Sequence, residues 1–303
     1  MSWTLMIHGG AGRLTHETLT PAQHEGARAG LGRALDAGSA VLAAGGAAVD
    51  AVEAAVKVLE DDPHFNSGRG AVFTHDGTIE LDAAIMDGAT RRAGAVAQVS
   101  ATRNPVGLAR AVMEDGRHVL LAGQGADIFS REQGVEQADI AWFATDERRR
   151  QFAELQASGD TFDVDMKYGT VGAVACDSGG HVAAATSTGG VTGKRWGRVG
   201  DSPVIGAGTW ADEACAVSCT GSGEFFLRVG VGHAIAARVR LLGEDVATAA
   251  EAVMGEVTAL GGTGGVIVAG ADGAAAWHFS TPGMNRGRAD SSGARAVAVY
   301  GDE

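Results

Sequence analysis

Thr170 stands in the run DMKYGTVGAVACDSGG, between a polar stretch and a series of small, β-prone residues. A chain that only passes from loop to strand tolerates many residue types at such a junction. A chain cut there makes Thr170 a new amino terminus, and then the residue type matters. A threonine hydroxyl is a poor nucleophile without an adjacent base, and a freed α-amine with a pKa near about 7.7–8.0 supplies one on the same residue. Gly169 before it removes bulk from the bond to be cut and leaves the backbone unrestricted.

Other segments offer chemistry and fail on their neighbours. CDSGG (Cys176 to Gly180) has the outline of a serine-protease nucleophile loop, but no histidine stands in a matching setting, so it reads as a hairpin turn. TGGVTGKRW has Thr188 where a phosphate loop needs its first glycine and Arg195 where it needs Ser or Thr. CTGSGEF has Thr220 and Glu224 where a nucleophile elbow needs glycines. The nine histidines are scattered without metal-ligand spacing, so no catalytic zinc is expected.

The elements that must position Thr170 follow from periodicity and punctuation. WTLMIHGGAG reads as a buried strand ending in a glycine turn. A helix starts at Thr20-Pro21 and is expected to stop at Gly38, and a second runs from about Ala47 to Glu60. AVFTHDGTIELDAAIMDG reads as a hairpin around His75-Asp76-Gly77, and Asn104-Pro105 opens a further helix. From Arg131 to about Gln156 the pattern is charged and helical, and from Ala157 to Tyr168 it reads as loose. After Thr170 come the small-residue strands TVGAVACD, HVAAATST, PVIGAGTW and CAVSCTG. A helix GEFFLRVGVGHAIAARVRLL, another near Asp245 to Leu260, and the strands GGVIVAG, AAAWHFS and ARAVAVY complete the chain. Strand runs and helix runs are segregated, which predicts α+β layers around antiparallel sheets. No internal repeat marks a second domain.

Composition narrows the partners. A 303-residue chain that is 45% hydrophobic but only 5% aromatic builds its core from Ala, Val and Leu. A formal charge of −13 leaves no basic stripe for nucleic acid. No run reaches the ~18 apolar residues of a membrane helix. Three cysteines, Cys176, Cys215 and Cys219, suit a reducing cytoplasm, with Cys215 and Cys219 packed on one face of a strand.

Six small-polar clusters remain: HGGAG, FNSGRG, GTVGAVA, TSTGG, GRVGDSP and SCTGSGE. Singly, each has an ordinary structural reading. In this order, across Trp3 to Arg286, they resemble the plant-type asparaginase and isoaspartyl peptidase family of N-terminal nucleophile hydrolases. The resemblance implies a four-layer αββα sandwich that cuts itself between Gly169 and Thr170. It would leave an α-subunit of residues 1–169, with a flexible linker at about 157–169, and a β-subunit of residues 170–303 sharing one fold. A homodimer of such units is the expected assembly.

By the same resemblance, Thr170 is the nucleophile, oriented by Thr188. Arg198 would grip a substrate α-carboxylate as a planar fork and Asp201 would take the α-ammonium group. Thr220 and Gly221 would hold the oxyanion, and Gly223 would keep that loop slim. Asn66 would support the site and the self-cleavage, and His8 to Ala11 would line the scissile bond. No cofactor is expected for the chemistry. A structural sodium ion is implied on the main-chain carbonyls of Leu59, Glu60, Asp62, Phe65, Ser67 and Arg69; the residues themselves leave open a plain helix-to-strand loop with carbonyls in water. Ser280 and Asn285 stand where the family commonly has asparagine and tyrosine, and Trp196 directly precedes GRVGD; these departures bear on substrate preference.

The expected substrates are isoaspartyl dipeptides and L-asparagine. The competing readings are a glycosylasparaginase-like hydrolase and, from another class, a non-catalytic glycine-rich binding protein whose chain stays whole.

Overall fold

The computed structural model describes residues 2–158 and 169–303, so most of the expected linker lies outside the described residues. The first half contributes β1 (Thr4–Gly12), α1 (Pro21–Ala43), α2 (Ala48–Asp61), β2 (Leu81–Asp87), β3 (Ala93–Val99), α3 (Pro105–Asp115) and β4 (Leu120–Ala122). Three shorter helices follow, α4 (Gly123–Glu132), α5 (Ile140–Phe143) and α6 (Asp146–Ser158). The second half begins with the hairpin β5 (Val171–Cys176) and β6 (Val182–Thr188), then β7 (Thr209–Ala211) and β8 (Cys215–Gly221). It continues through α7 (Gly223–Val229), α8 (Val231–Ala237), a π-helical turn (Arg238–Leu242) and α9 (Val246–Ala259). Four strands close the chain: β9 (Gly264–Gly270), β10 (Ala275–Phe279), β11 (Gly283–Asp290) and β12 (Arg295–Tyr300).

Among the described residues the strands form two sheets, ordered β12-β11-β1-β5-β6-β2-β3-β4 and β10-β9-β8-β7. The side-chain period of two sorts each strand between two environments. On the large sheet, Leu5, Ile7, Ala173 and Ala185 face α1–α3 and pack with Leu31, Leu35, Val52 and Val56. Met6, Val174 and Ala184 point the other way and meet Ala216 and Ile267 of the small sheet. The far face of the small sheet, with Val217, Cys219, Val266 and Val268, is covered by Ile235, Val253 and Val257 of α8 and α9. The order of layers is therefore helix, sheet, sheet, helix, the expected αββα sandwich. Leu35 is fully buried, and its truncation to alanine would cost about 2–5 kcal/mol through lost contacts and a residual cavity.

Several local expectations are corrected. The first helix runs past Gly38 to Ala43, after a capping box between Thr20 and Gln23. A Cβ at Gly38 would lie 2.7 Å from Leu5 Cδ2 and 3.0 Å from Ala51 O, so this glycine permits close packing rather than ending the helix. Ala71–Thr74 forms no strand; only the second arm of the expected hairpin does, pairing with β3 and β6. The segment Arg131–Gln156 is broken into short helices. The helix after Gly223 is interrupted at Gly230, whose φ of 65° is left-handed. The expectation had no strand at β3 or β11. Within β11, buried Arg286 donates to Met284 O at 3.1 Å and Tyr300 O at 3.0 Å, with Phe279 and Trp277 rings beside its guanidinium.

Candidate active site

Thr170 immediately precedes β5, and by the period of two it shares the face of Val174 and Cys176 that looks toward the small sheet. Thr188, the last residue of β6, follows Val182 and Ala184 on the same face. Thr220 near the end of β8 follows Ala216 on the opposing sheet. Three hydroxyls are thus delivered to one end of the layer between the sheets by three strands built of small residues.

The contacts are short. Thr170 Oγ1 donates to Thr188 Oγ1 at 3.0 Å, and Thr188 Oγ1 also accepts the Gly190 N–H at 3.0 Å. In the uncut chain Gly169 is buried against the HGGAG segment, which is the bulged end of β1 and not the expected turn: a Cβ on it would lie 2.9 Å from Gly10 Cα and 2.9 Å from Thr220 Oγ1. Any larger residue at 169 would push apart the two segments that frame the bond. Ala11 N donates to Thr220 Oγ1 at 3.4 Å, and Gly221 follows at the end of β8.

Asn66 is buried and makes no hydrogen bond to Thr170 among the described residues. Its amide donates to Gly190 O at 2.7 Å and accepts Val72 N–H at 3.0 Å, tying the loop after α2 to the glycine pair behind Thr188. It supports the site at one remove.

Arg198 and Asp201 meet at Gly223. A Cβ there would lie 2.9 Å from both Arg198 Nη2 and Asp201 Oδ1, so the missing side chain keeps open a corner flanked by opposite charges. Asp201 Oδ2 is buried without a hydrogen-bond partner among the described residues. Burial pushes this carboxyl up to about 7 despite the nearby Arg198 charge. A cationic guest at Asp201 would supply the missing partner.

Sequence reasoning missed Glu224. Its carboxylate fills the Arg198 fork, with Nε to Oε1 at 2.9 Å and Nη2 to Oε2 at 3.0 Å. The motif SCTGSGE contains this residue, but only the fold shows that the start of α7 sets it against Arg198. Lys194 was also missed. Its side chain is 1% exposed, and Nζ donates to Glu80 O at 2.9 Å. A Cβ on Gly190 would lie 3.3 Å from Lys194 Nζ and 3.6 Å from Arg198 Nη1, which puts a second cation beside the first.

The carbonyls named for a cation line the turn after α2. Leu59 O accepts Asp62 N–H at 3.3 Å, Asp62 O accepts Phe65 N–H at 3.4 Å, and Glu60 O accepts Arg69 N–H at 2.7 Å. A Cβ on Gly70 would lie 2.7 Å from Phe65 O, one of the expected set, and 2.7 Å from Pro63 O, which is outside it. Each carbonyl has a second lone pair, and such a donor set suits a hard cation. The Arg69 guanidinium is engaged over the Trp142 ring at 4.9 Å.

Comparison with known proteins agrees along the whole sequence. The asparaginase family profile matches residues 1–299. The isoaspartyl peptidase of Escherichia coli (strain K12) is 44% identical over 306 residues, covering 98% of this chain and 95% of the relative. The plant-type L-asparaginase of Thermococcus kodakarensis is also 44% identical, covering 93% of this chain and 94% of the relative. The isoaspartyl peptidase/L-asparaginase of Mus musculus is 42% identical, covering 88% and 82% respectively. With the profile spanning nearly the whole chain and this extent of identity, the chain belongs to the asparaginase family.

Proposed function

We propose that this protein is a self-processing amidohydrolase that releases L-aspartate from β-aspartyl peptides and from L-asparagine. The observation that carries the reading is the Thr170–Thr188 hydroxyl pair at 3.0 Å, with Gly169 seated against Gly10 and Thr220. Support comes from relatives that bear the names isoaspartyl peptidase and plant-type L-asparaginase. The binding-protein reading gives no reason for this convergence.

Maturation begins when Thr170 Oγ attacks the Gly169 carbonyl carbon. The Gly169–Thr170 C–N bond breaks, its nitrogen takes up a proton, and water hydrolyses the resulting ester. The products are the α-subunit, residues 1–169, and the β-subunit, residues 170–303.

In turnover the freed Thr170 amine takes the hydroxyl proton as Oγ attacks the side-chain amide of the substrate. Arg198 holds the α-carboxylate after displacing Glu224, and Asp201 holds the α-ammonium group. Thr220 and Gly221 stabilise the oxyanion, a contribution of about 3 kcal/mol per donor in comparable sites. The amine returns its proton to the leaving nitrogen, water enters, and the same amine serves as base for release of aspartate.

Intact mass spectrometry tests maturation. The purified protein should yield fragments ending at Gly169 and starting at Thr170, while Thr170→Ala stays whole and Thr170→Ser retains some cleavage. Efficient cutting by the alanine variant would remove Thr170 from this role. Aspartate release from a β-aspartyl dipeptide and from L-asparagine tests the activity.

Sodium on the carbonyls of Leu59, Glu60, Asp62, Phe65, Ser67 and Arg69 would stiffen the loop that carries Asn66, and takes no part in the chemistry. A homodimer of processed units and a cytoplasmic setting complete the reading. Light scattering tests the first, and the three free, buried cysteines agree with the second.

A further inference from the structure

We propose that His8 is a positioning residue for Thr170, donating from Nδ1 to the Thr170 carbonyl while its Nε2 is held by the buried Ser218 hydroxyl. The proposal rests on the threonine-nucleophile reading above and adds a residue to it.

The β1–β5 ladder ends at the pair His8 and Gly172, so Thr170 lies beyond its last rung. The His8 side chain replaces the missing rung: Nδ1 is 3.0 Å from Thr170 O. A carbonyl oxygen can only accept, so Nδ1 carries the proton. Nε2 lies 2.9 Å from Ser218 Oγ. In the neutral ring it is an acceptor, and the Ser218 hydroxyl donates to it.

The chain continues away from the site. Thr186 Oγ1 is 2.7 Å from Ser218 Oγ, and Thr209 Oγ1 is 2.7 Å from Thr186 Oγ1. With its proton on His8, Ser218 can accept from Thr186; Ser218, Thr186 and Thr209 also lie 3.3, 3.1 and 2.9 Å from the carbonyls of Ala185, Gly208 and Ser202. Reversing the imidazole tautomer would set the Nδ1 lone pair against the Thr170 carbonyl oxygen. Burial lowers the His8 pKa to about 3, partly opposed by the Thr170 bond, which agrees with a neutral ring.

Gly172 supplies the room. A Cβ on it would lie 2.1 Å from Ser218 Oγ and 2.4 Å from His8 Nε2. Any side chain there would occupy the space of the His8–Ser218 hydrogen bond. The second glycine of GTVG is thereby explained by the ring it admits, two residues from the nucleophile.

Two substitutions separate positioning from filling. In His8→Asn the amide nitrogen falls near the place of Nδ1 and can still donate to Thr170 O. In His8→Gln it falls near Nε2 and cannot. Among cut, folded protein, His8→Gln should lose about 10–100-fold in kcat with KM nearly unchanged, because Arg198 and Asp201 are untouched. His8→Asn should recover most of that loss. Equal kcat values for the two variants, or a loss carried by KM alone, would overturn the proposal.

Nitrogen-15 NMR of the assigned His8 ring in the wild-type protein decides it even if a variant fails to fold or cut. Nδ1 should be protonated and Nε2 unprotonated at pH 7; the opposite tautomer or an imidazolium overturns it. Failure of the underlying reading looks different: the wild-type protein itself would release no aspartate.

Discussion

Asp201 is buried next to Arg198, Glu224 and Asp82 and titrates near 7, so it enters the neutral range partly protonated. Only its carboxylate can hold an ammonium group, and the freed Thr170 amine must be neutral to act as base. Two groups therefore have to lose protons on the acid side. The acid limb of kcat/KM for L-asparagine should approach a slope of two, and Asp201→Asn should reduce it towards one while weakening binding. An unchanged slope would move the ammonium contact to another residue. The same carboxyl affects stability in the opposite direction. Its folded pKa lies above the unfolded value of 3.8, so its contribution is fully present below about 4 and is lost as pH rises towards about 7. Glu224 competes for the fork that the substrate needs, and it is well exposed, so the pair contributes little. Glu224→Gln should lower KM by about two- to fivefold; a raised KM would show that Glu224 orients Arg198 for binding instead. Thr170, Thr188, Arg198 and Asp201 could be singled out in the sequence because each lies in an ordered motif. The partner of Arg198 could not, since a run of letters does not say which carboxylate a vacant fork finds across a fold.

The elements show the same division. Helix starts were legible from Thr20-Pro21 and Asn104-Pro105, where the residue types make the cap or fix φ. The end of the first helix was not, because Gly38 satisfies a packing demand invisible in its own segment, whereas the second ends within a residue of its expected end. The turn Arg195-Trp196-Gly197-Arg198 is a further case. Arg198 N–H donates to Arg195 O at 2.9 Å, and the two central residues have φ of 54° and 70°, the pattern of a type I′ turn. Such turns favour Asn-Gly, yet here the first central residue is a tryptophan with 95% of its surface exposed. Trp196→Asn loses almost no burial and relieves the left-handed backbone, so it should stabilise the fold by about 0.5–1 kcal/mol, read as a higher Tm. A lower Tm would mean that the indole is packed in solution, against the exposure seen in the single chain.

At the scale of the molecule, small-residue strands and segregated helices announced layered α+β architecture, but not the order of strands. β11 was hidden because GMNRGRAD is rich in glycine and charge, and only burial of Arg286 between two rings and the chain end makes sense of it. The carbonyl turn after α2 belongs to this scale too, since it couples a helix end to the loop bearing Asn66. Replacing sodium by a bulky organic cation should lower Tm and turnover together, while chelators of divalent metals should have no effect. Unchanged melting and turnover in sodium-free buffer would remove the ion.

The strand order carries a last consequence. In the large sheet β12 and β11 come from the second half, β1 from the first, β5 and β6 from the second, and β2–β4 from the first. Cutting before Thr170 therefore leaves two chains that exchange rungs at three seams, β11–β1, β1–β5 and β6–β2. Unfolding the uncut chain is a unimolecular event, and its midpoint does not depend on concentration. Once the chain is cut, return to the native state is an encounter between two polypeptides, and dilution disfavours it. Dilution should impair refolding of the mature enzyme more than that of Thr170→Ala, whose two halves stay joined. The proposed cut would thus exchange a reversible fold for one whose persistence depends on how slowly it comes apart.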